Sequence, residues 1–173
     1  MLAVALWAGP TSAHAAEGGD RPDPPEAGSV SLGIVAGDPT GGSAKVFLHP
    51  RHALSSHVGF GFFHFGAGRA DLTYLFHSKP WGKDPGFFAL GYLGVGVGVA
   101  FWSQKFGHVG PLAPEPGDFR KAAFFFRAPV LGIDFFLKRV PIDIFLETAY
   151  SPLVGPYLSA WNVDFGLGAR YWF

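Results

Sequence analysis

The stretch that most constrains this chain is residues 161–173, where apolar and polar positions alternate throughout. One parity reads Trp161, Val163, Phe165, Leu167, Ala169, Tyr171, Phe173, and the other reads Asn162, Asp164, Gly166, Gly168, Arg170, Trp172. Successive side chains of a β-strand point to opposite faces, so the segment presents one wholly apolar face and one face that carries the charges. A soluble strand half buried on a core alternates as well. This one is long and aromatic at both ends, which is the pattern of a strand crossing a membrane as part of a closed barrel.

Composition supports that reading. The chain has 173 residues, the size of one domain, and is 49% hydrophobic but only 15% charged, a poor supply of charge for covering a soluble surface. Its 25 glycines and 19 phenylalanines favour β-structure over a helical bundle rich in Leu, Ala and Glu. The formal net charge is zero and no Lys/Arg cluster occurs, so nothing marks a nucleic-acid footprint. There is no cysteine, and a closed barrel needs no disulfide staple.

Seven further runs share the alternation. The first two pair Val30, Leu32, Ile34 and Ala44, Val46, Leu48 across a turn cluster at residues 37–42. The next two present Val58, Phe60, Phe62 and then Ala70, Leu72, Tyr74, Phe76, with Asp71, Thr73 and Leu75 on the opposite face. Residues 87–102 form an uncharged apolar run near the lower bound for a membrane helix. Gly94, Gly96 and Gly98 alternate there with Val95, Val97 and Val99. A helix of that sequence is unstable and has no face, so it reads as a long strand with an inward glycine row. The sixth run changes parity between Phe126 and Leu131, which predicts a bulge at Ala128-Pro129, because proline donates no ladder hydrogen bond. The seventh places Ile142, Ile144 and Leu146 opposite Asp143, Phe145 and Glu147. The predicted fold is an all-β, eight-stranded, antiparallel up-and-down transmembrane barrel. A lipocalin-like soluble barrel would reverse the faces, with apolar residues inside.

Residues 1–15 read as a secretory signal, an apolar run followed by Ala13-His14-Ala15. Residues 16–28 read as a flexible periplasmic linker, and residues 29–173 as the barrel. With both termini periplasmic, strand parity puts the connections at residues 37–42, 66–68, 103–121 and 151–160 outside the cell. The turns at Pro50, around Trp81 and at residues 138–141 are then periplasmic.

The terminal run Gly168-Ala169-Arg170-Tyr171-Trp172-Phe173 resembles the insertion signal of the small bacterial outer-membrane β-barrel superfamily, with its OmpA-type and OmpX-type members. In that pattern Gly168, Tyr171 and Phe173 are the signal residues. Gly166 stands where the family has a polar residue. Residues 33–41 and 140–147 look similar to a smaller subfamily of such barrels without an assigned activity. The resemblance implies an integral outer-membrane protein surrounded by lipid, delivered by the barrel-insertion machinery, monomeric, and free to meet a ligand through its extracellular loops.

Eight charged residues fall on the inward parity: Lys45, Asp71, Arg127, Asp134, Asp143, Glu147, Asp164 and Arg170. An eight-stranded barrel is filled by its own side chains, so these are expected to pair with one another as a lumen charge network without a continuous pore. Two other readings stay open, a narrow ion or proton channel through the same groups and an outer-membrane lipid-modifying enzyme. An acyl hydrolase or transferase needs a nucleophile beside an oriented base. His77-Ser78 is adjacent in sequence but lacks an obvious acidic partner, and no catalytic residue is assigned. His49, His52, His57, His64 and His77 fit no compact ligand spacing, so no metal or cofactor is assigned. Tyr74, Trp102, Tyr150, Trp161 and Tyr171 read as interfacial girdles.

Overall fold

The structure, a computed structural model, describes residues 25–61, 68–82, 85–101, 122–154 and 162–173. The predicted signal segment, most of the linker, His64, Trp102, Trp161 and the 103–121 connection lie outside the described residues.

All regular elements of the described residues are strands: β1 (Val30–Gly37), β2 (Thr40–His49), β3 (His52–Phe60), β4 (Gly68–His77), β5 (Phe87–Phe101), β6 (Ala122–Leu137), β7 (Ile142–Tyr150), the two-residue β8 (Leu153–Val154) and β9 (Val163–Trp172). Each long strand pairs antiparallel with its sequence neighbour. The ring closes where Leu32 faces Tyr171 and Ile34 faces Ala169, between β1 and β9. Eight long strands therefore form a closed all-antiparallel barrel, β1-β2-β3-β4-β5-β6-β7-β9. Closure pairs each long strand on both sides over most of its length, which matters wherever no water is present to satisfy backbone groups. The rim where β1 begins and β9 ends is called the near rim below, and the opposite one, beside Asp38, the far rim.

The faces are inverted relative to a soluble barrel. Ile34, Val58, Phe60, Val95, Val97, Phe124, Phe126, Phe165 and Leu167 are all more than half exposed, whereas Lys45, Asp71, Arg127, Asp134, Asp143, Glu147, Asp164 and Arg170 are at most 4% exposed. Register explains the glycines. Three cross-strand pairs set an inward aromatic ring against a glycine: Tyr92 opposite Gly132, Phe125 opposite Gly98, and Phe145 opposite Gly168. In each pair a Cβ on the glycine would overlap the ring, so the glycine provides the space that the aromatic side chain fills.

The parity change in β6 has its cause at Pro129. Gly94 pairs with Val130 and Gly96 with Arg127, so Val95 alone opposes both Ala128 and Pro129. The ladder on the other side is interrupted at the same height. β7 pairs with β6 as far as Val130, and after Ser151-Pro152 the chain resumes as β8 against Phe124 and Phe125. The predicted connection at 151–160 thus begins inside the sheet, not as a loop.

Three boundaries differ from expectation. The β1–β2 connection is only Asp38-Pro39, because Thr40, Gly41 and Gly42 already belong to β2. It is tightened by the Thr40 hydroxyl, which donates to the Gly37 carbonyl at 2.9 Å and accepts from the Gly37 amide at 3.0 Å. Gly37 has φ +133°, open to a residue without Cβ. β3 begins at His52, since Ser55 and Ser56 give the run no apolar signature in sequence. β4 runs on to His77, which carries the inward parity of Thr73 and Leu75 and is fully buried.

Candidate functional site

The lumen is filled in layers. Closest to the near rim is an aromatic layer from four strands, Phe47 of β2, Phe88 of β5, Phe136 of β6 and Trp172 of β9. Phe88 and Phe136 stack with centroids 4.8 Å apart, and Trp172 lies 5.5 Å from Phe47 and 5.6 Å from Phe136. Leu75, Leu90 and Ala53 belong to the same apolar cluster, which continues through Tyr92, Val130 and Ala149.

Above it sits a balanced charge cluster. Lys45 Nζ donates to Asp134 Oδ2, and Arg170 Nη2 donates to Asp134 Oδ1 at 2.8 Å and to Asp143 Oδ2 at 2.9 Å. Two cations thus meet two carboxylates, with Asp134 shared between them. His77 Nε2 is 2.8 Å from Lys45 Nζ; an ammonium only donates, so the imidazole nitrogen accepts. The Lys45 ammonium also lies 5.0 Å from the Phe47 ring and 5.1 Å from Tyr92, and the Arg170 guanidinium is 4.0 Å from the Phe145 ring.

A second cluster occupies the half toward the far rim and is centred on Arg127. Its Nη2 donates to Glu147 Oε1 at 2.6 Å, its Nη1 to Asp71 Oδ1 at 3.0 Å and to Thr73 Oγ1 at 3.1 Å, and its Nε lies 3.6 Å from Asp164. Arg69 grips Asp164 with two parallel bonds of 3.0 and 2.7 Å and reaches Asp38 at 3.2 Å, with Phe125 4.3 Å beneath its guanidinium. His57 Nδ1 lies 3.2 Å from Asp71, and the Ser151 hydroxyl donates to Asp164. Tyr92 joins the two clusters, donating its hydroxyl to Glu147 Oε2 at 3.0 Å while its ring flanks Lys45.

The eight lumen charges expected from sequence therefore divide four and four. Lys45, Asp134, Asp143 and Arg170 meet in one cluster, and Asp71, Arg127, Glu147 and Asp164 in the other. Sequence reasoning missed Asp38, Arg69 and His77. Arg69 and His77 share the inward parity of Asp71, but Arg69 directly follows the predicted turn at residues 66–68 and His77 falls in the predicted turn that ends at Pro85. Asp38 carried no signal, since a hairpin residue has no face until the barrel curls over it. Of the insertion-signal residues, Gly168 lies inward beneath Phe145, while Tyr171 and Phe173 are exposed at the near rim with ring centroids 5.2 Å apart.

The catalytic alternative finds no geometry at His77-Ser78. The Ser78 hydroxyl donates to the Lys79 carbonyl at 2.8 Å and accepts from the Gly91 amide at 3.1 Å, while the His77 ring points into the lumen toward Asp134. The histidines are scattered as well. His57 and His77 lie in different clusters, and His49 and His52 sit at the near rim. Among the described residues no three His, Asp or Glu side chains gather to hold a metal ion.

No protein-family model matches the chain, and no curated protein sequence does. Among solved structures, the crystal structure of the N-terminal β-barrel domain of Pseudomonas aeruginosa OprF superposes with a TM-score of 0.62 at 16% identity, covering 86% of this chain and 100% of that one. The fold is that of a small outer-membrane barrel. The Yersinia pestis outer-membrane protein Ail, determined in a phospholipid bilayer nanodisc, is also similar, with a TM-score of 0.38, 18% identity, and coverage of 84% of this chain and 97% of that one. In an outer-membrane barrel the outward apolar face is the lipid-facing one, and the clusters described above fill the lumen.

Proposed function

We propose that this protein is a monomeric, integral outer-membrane barrel with its near rim on the periplasmic side and its lumen closed by its own side chains. It acts through its structure or through its exposed connections, chiefly residues 103–121, and not by catalytic turnover. One observation carries the reading: the apolar residues line the outside of a closed sheet while the charges are buried and paired within. In water that arrangement exposes a contiguous apolar surface far beyond what a soluble monomer tolerates. In a bilayer the same surface is the stable one.

The closed lumen also speaks against a channel. The Phe47, Phe88, Phe136 and Trp172 layer and the two ion-pair clusters follow one another along the axis, so an ion would have to displace packed rings and break several charge-assisted bonds. The test is a comparison of boiled and unboiled protein on a gel together with cell fractionation. A heat-modifiable band in the outer-membrane fraction is expected. Unchanged mobility with the protein in the soluble periplasm would refute the reading.

A further inference from the structure

The exterior of the barrel is not evenly convex. Across β4, β5, β6, β7 and β9 runs an open groove of about 640 Å³ bounded by Phe76, Trp81, Leu93, Ile133 and Phe165. Small outward residues shape it, Gly91 as the seat of one wall and Thr148 as the floor. Gly91 shares the outward parity of Leu93 without a side chain, and Thr148 stands in the row of Leu146 and Ile144. Beyond β4 the chain folds back along the outside. Trp81 exchanges backbone hydrogen bonds with Ala89 at 2.8 and 3.1 Å, and its indole covers Gly91 so closely that a Cβ there would come within 2.7 Å of the ring. The indole thereby forms one wall of the groove at the near rim.

Arg51, in the turn between β2 and β3, lines the groove beside Trp81 and Phe76. Two contacts hold its guanidinium: Nε donates to the His77 carbonyl at 3.0 Å, and the plane lies 4.5 Å from the Phe76 ring. Both Nη groups are left with no protein acceptor among the described residues. A positioned guanidinium with unused donors selects an anionic, oxygen-rich group such as a phosphate. The groove beside it is almost wholly apolar and spans four strand spacings, about 19 Å at roughly 4.8 Å each, and its volume falls in the range of about 300–1,000 Å³ typical of ligand sites.

We infer that this groove binds one glycerophospholipid, with its phosphodiester on the Arg51 Nη groups and one acyl chain lying over Thr148 between Trp81 and Phe165. The inference rests on the membrane reading above and adds a defined lipid to it. The Trp81 indole, at the junction of headgroup and chain, suits the interfacial position in which tryptophan is favoured.

The test uses the full chain purified in detergent, with its folded state verified by heat-modifiable mobility, and native mass spectrometry against dioleoylphosphatidylglycerol, dioleoylglycerol and inorganic phosphate. One phosphatidylglycerol per barrel is expected to survive detergent removal, with dioleoylglycerol weaker and inorganic phosphate not retained. Arg51→Gln should lower phosphatidylglycerol retention about fivefold, as expected for one interfacial cation, with partial recovery in Arg51→Lys. Thr148→Phe, which fills the floor from the outside, should lower retention of both lipids. Equal retention by wild type, Arg51→Gln and Thr148→Phe would overturn the site, and so would dioleoylglycerol binding as well as phosphatidylglycerol or phosphate binding alone. A folded barrel that fails these tests leaves the membrane reading intact. A chain that shows no heat-modifiable barrel removes both.

Discussion

The two halves of the lumen are closed by different physics. Toward the near rim, four aromatic side chains form a dry layer, and the cluster above it is charge-balanced, Lys45 and Arg170 against Asp134 and Asp143. Toward the far rim, four carboxylates, Asp38, Asp71, Glu147 and Asp164, surround two guanidiniums, Arg69 and Arg127, and packing is supplied mainly by Phe125 and Leu153. The near half is thus held by shape and the far half by charge. Removing a guanidinium from the far half leaves uncompensated carboxylates in a low-dielectric interior, whereas removing one group from the near half leaves a void or a carboxylate that keeps a second cation.

That contrast orders four expected outcomes, each read as a change in unfolding free energy from urea titration of the folded barrel in lipid vesicles. The largest belongs to Arg127→Met. It strips Asp71 and Glu147 of their principal cation and should cost about 4 kcal/mol, the scale for breaking a buried ion pair from one side. Adding Glu147→Gln should recover part of the loss, since one orphaned charge disappears. Phe47→Ala should cost about 3 kcal/mol by leaving a cavity beneath Trp172, and Phe47→Leu much less. If Phe47→Ala proved costlier than Arg127→Met, the division of labour between the halves would be reversed. Lys45→Met should cost only about 2 kcal/mol, because Asp134 keeps its bond from Arg170. Ser43→Ala should change stability by less than about 0.5 kcal/mol, since the Ser43 hydroxyl is buried without a hydrogen-bond partner among the described residues. A large loss there would reveal a partner, such as an ordered water, in the far half.

The architecture was legible because a barrel in lipid imposes a period of two with opposite polarity on its faces. Val30, Leu32, Ile34 on one face and Asp143, Phe145, Glu147 on the other could be assigned from spacing alone. Pro129 announced the bulge, because parity had to change somewhere and proline cannot hold a ladder bond there. Cross-strand neighbours were not legible. That Tyr92 covers Gly132, or that Arg127 of β6 reaches Asp71 of β4 and Asp164 of β9, depends on register and shear, which no single strand encodes. Arg69 and His77 were lost for a local reason, as adjacent turn residues masked the first and last inward positions of β4. The exterior groove was invisible because it arises from chain folding back after β4 to lay Trp81 over Gly91.

The central claim is the inversion of the barrel, apolar face to lipid and charged face to a closed lumen. A chain without cysteine allows single-cysteine spin labels to test it directly. Labels placed one at a time along β9 from Val163 to Trp172, in protein reconstituted in bilayers, would report accessibility to oxygen dissolved in lipid and to a water-soluble nickel chelate. The inversion predicts high oxygen and low nickel accessibility at Val163, Phe165, Leu167, Ala169 and Tyr171, and low accessibility to both reagents at the inward residues between them. The opposite phase, or nickel access at Phe165 and Leu167, would contradict it.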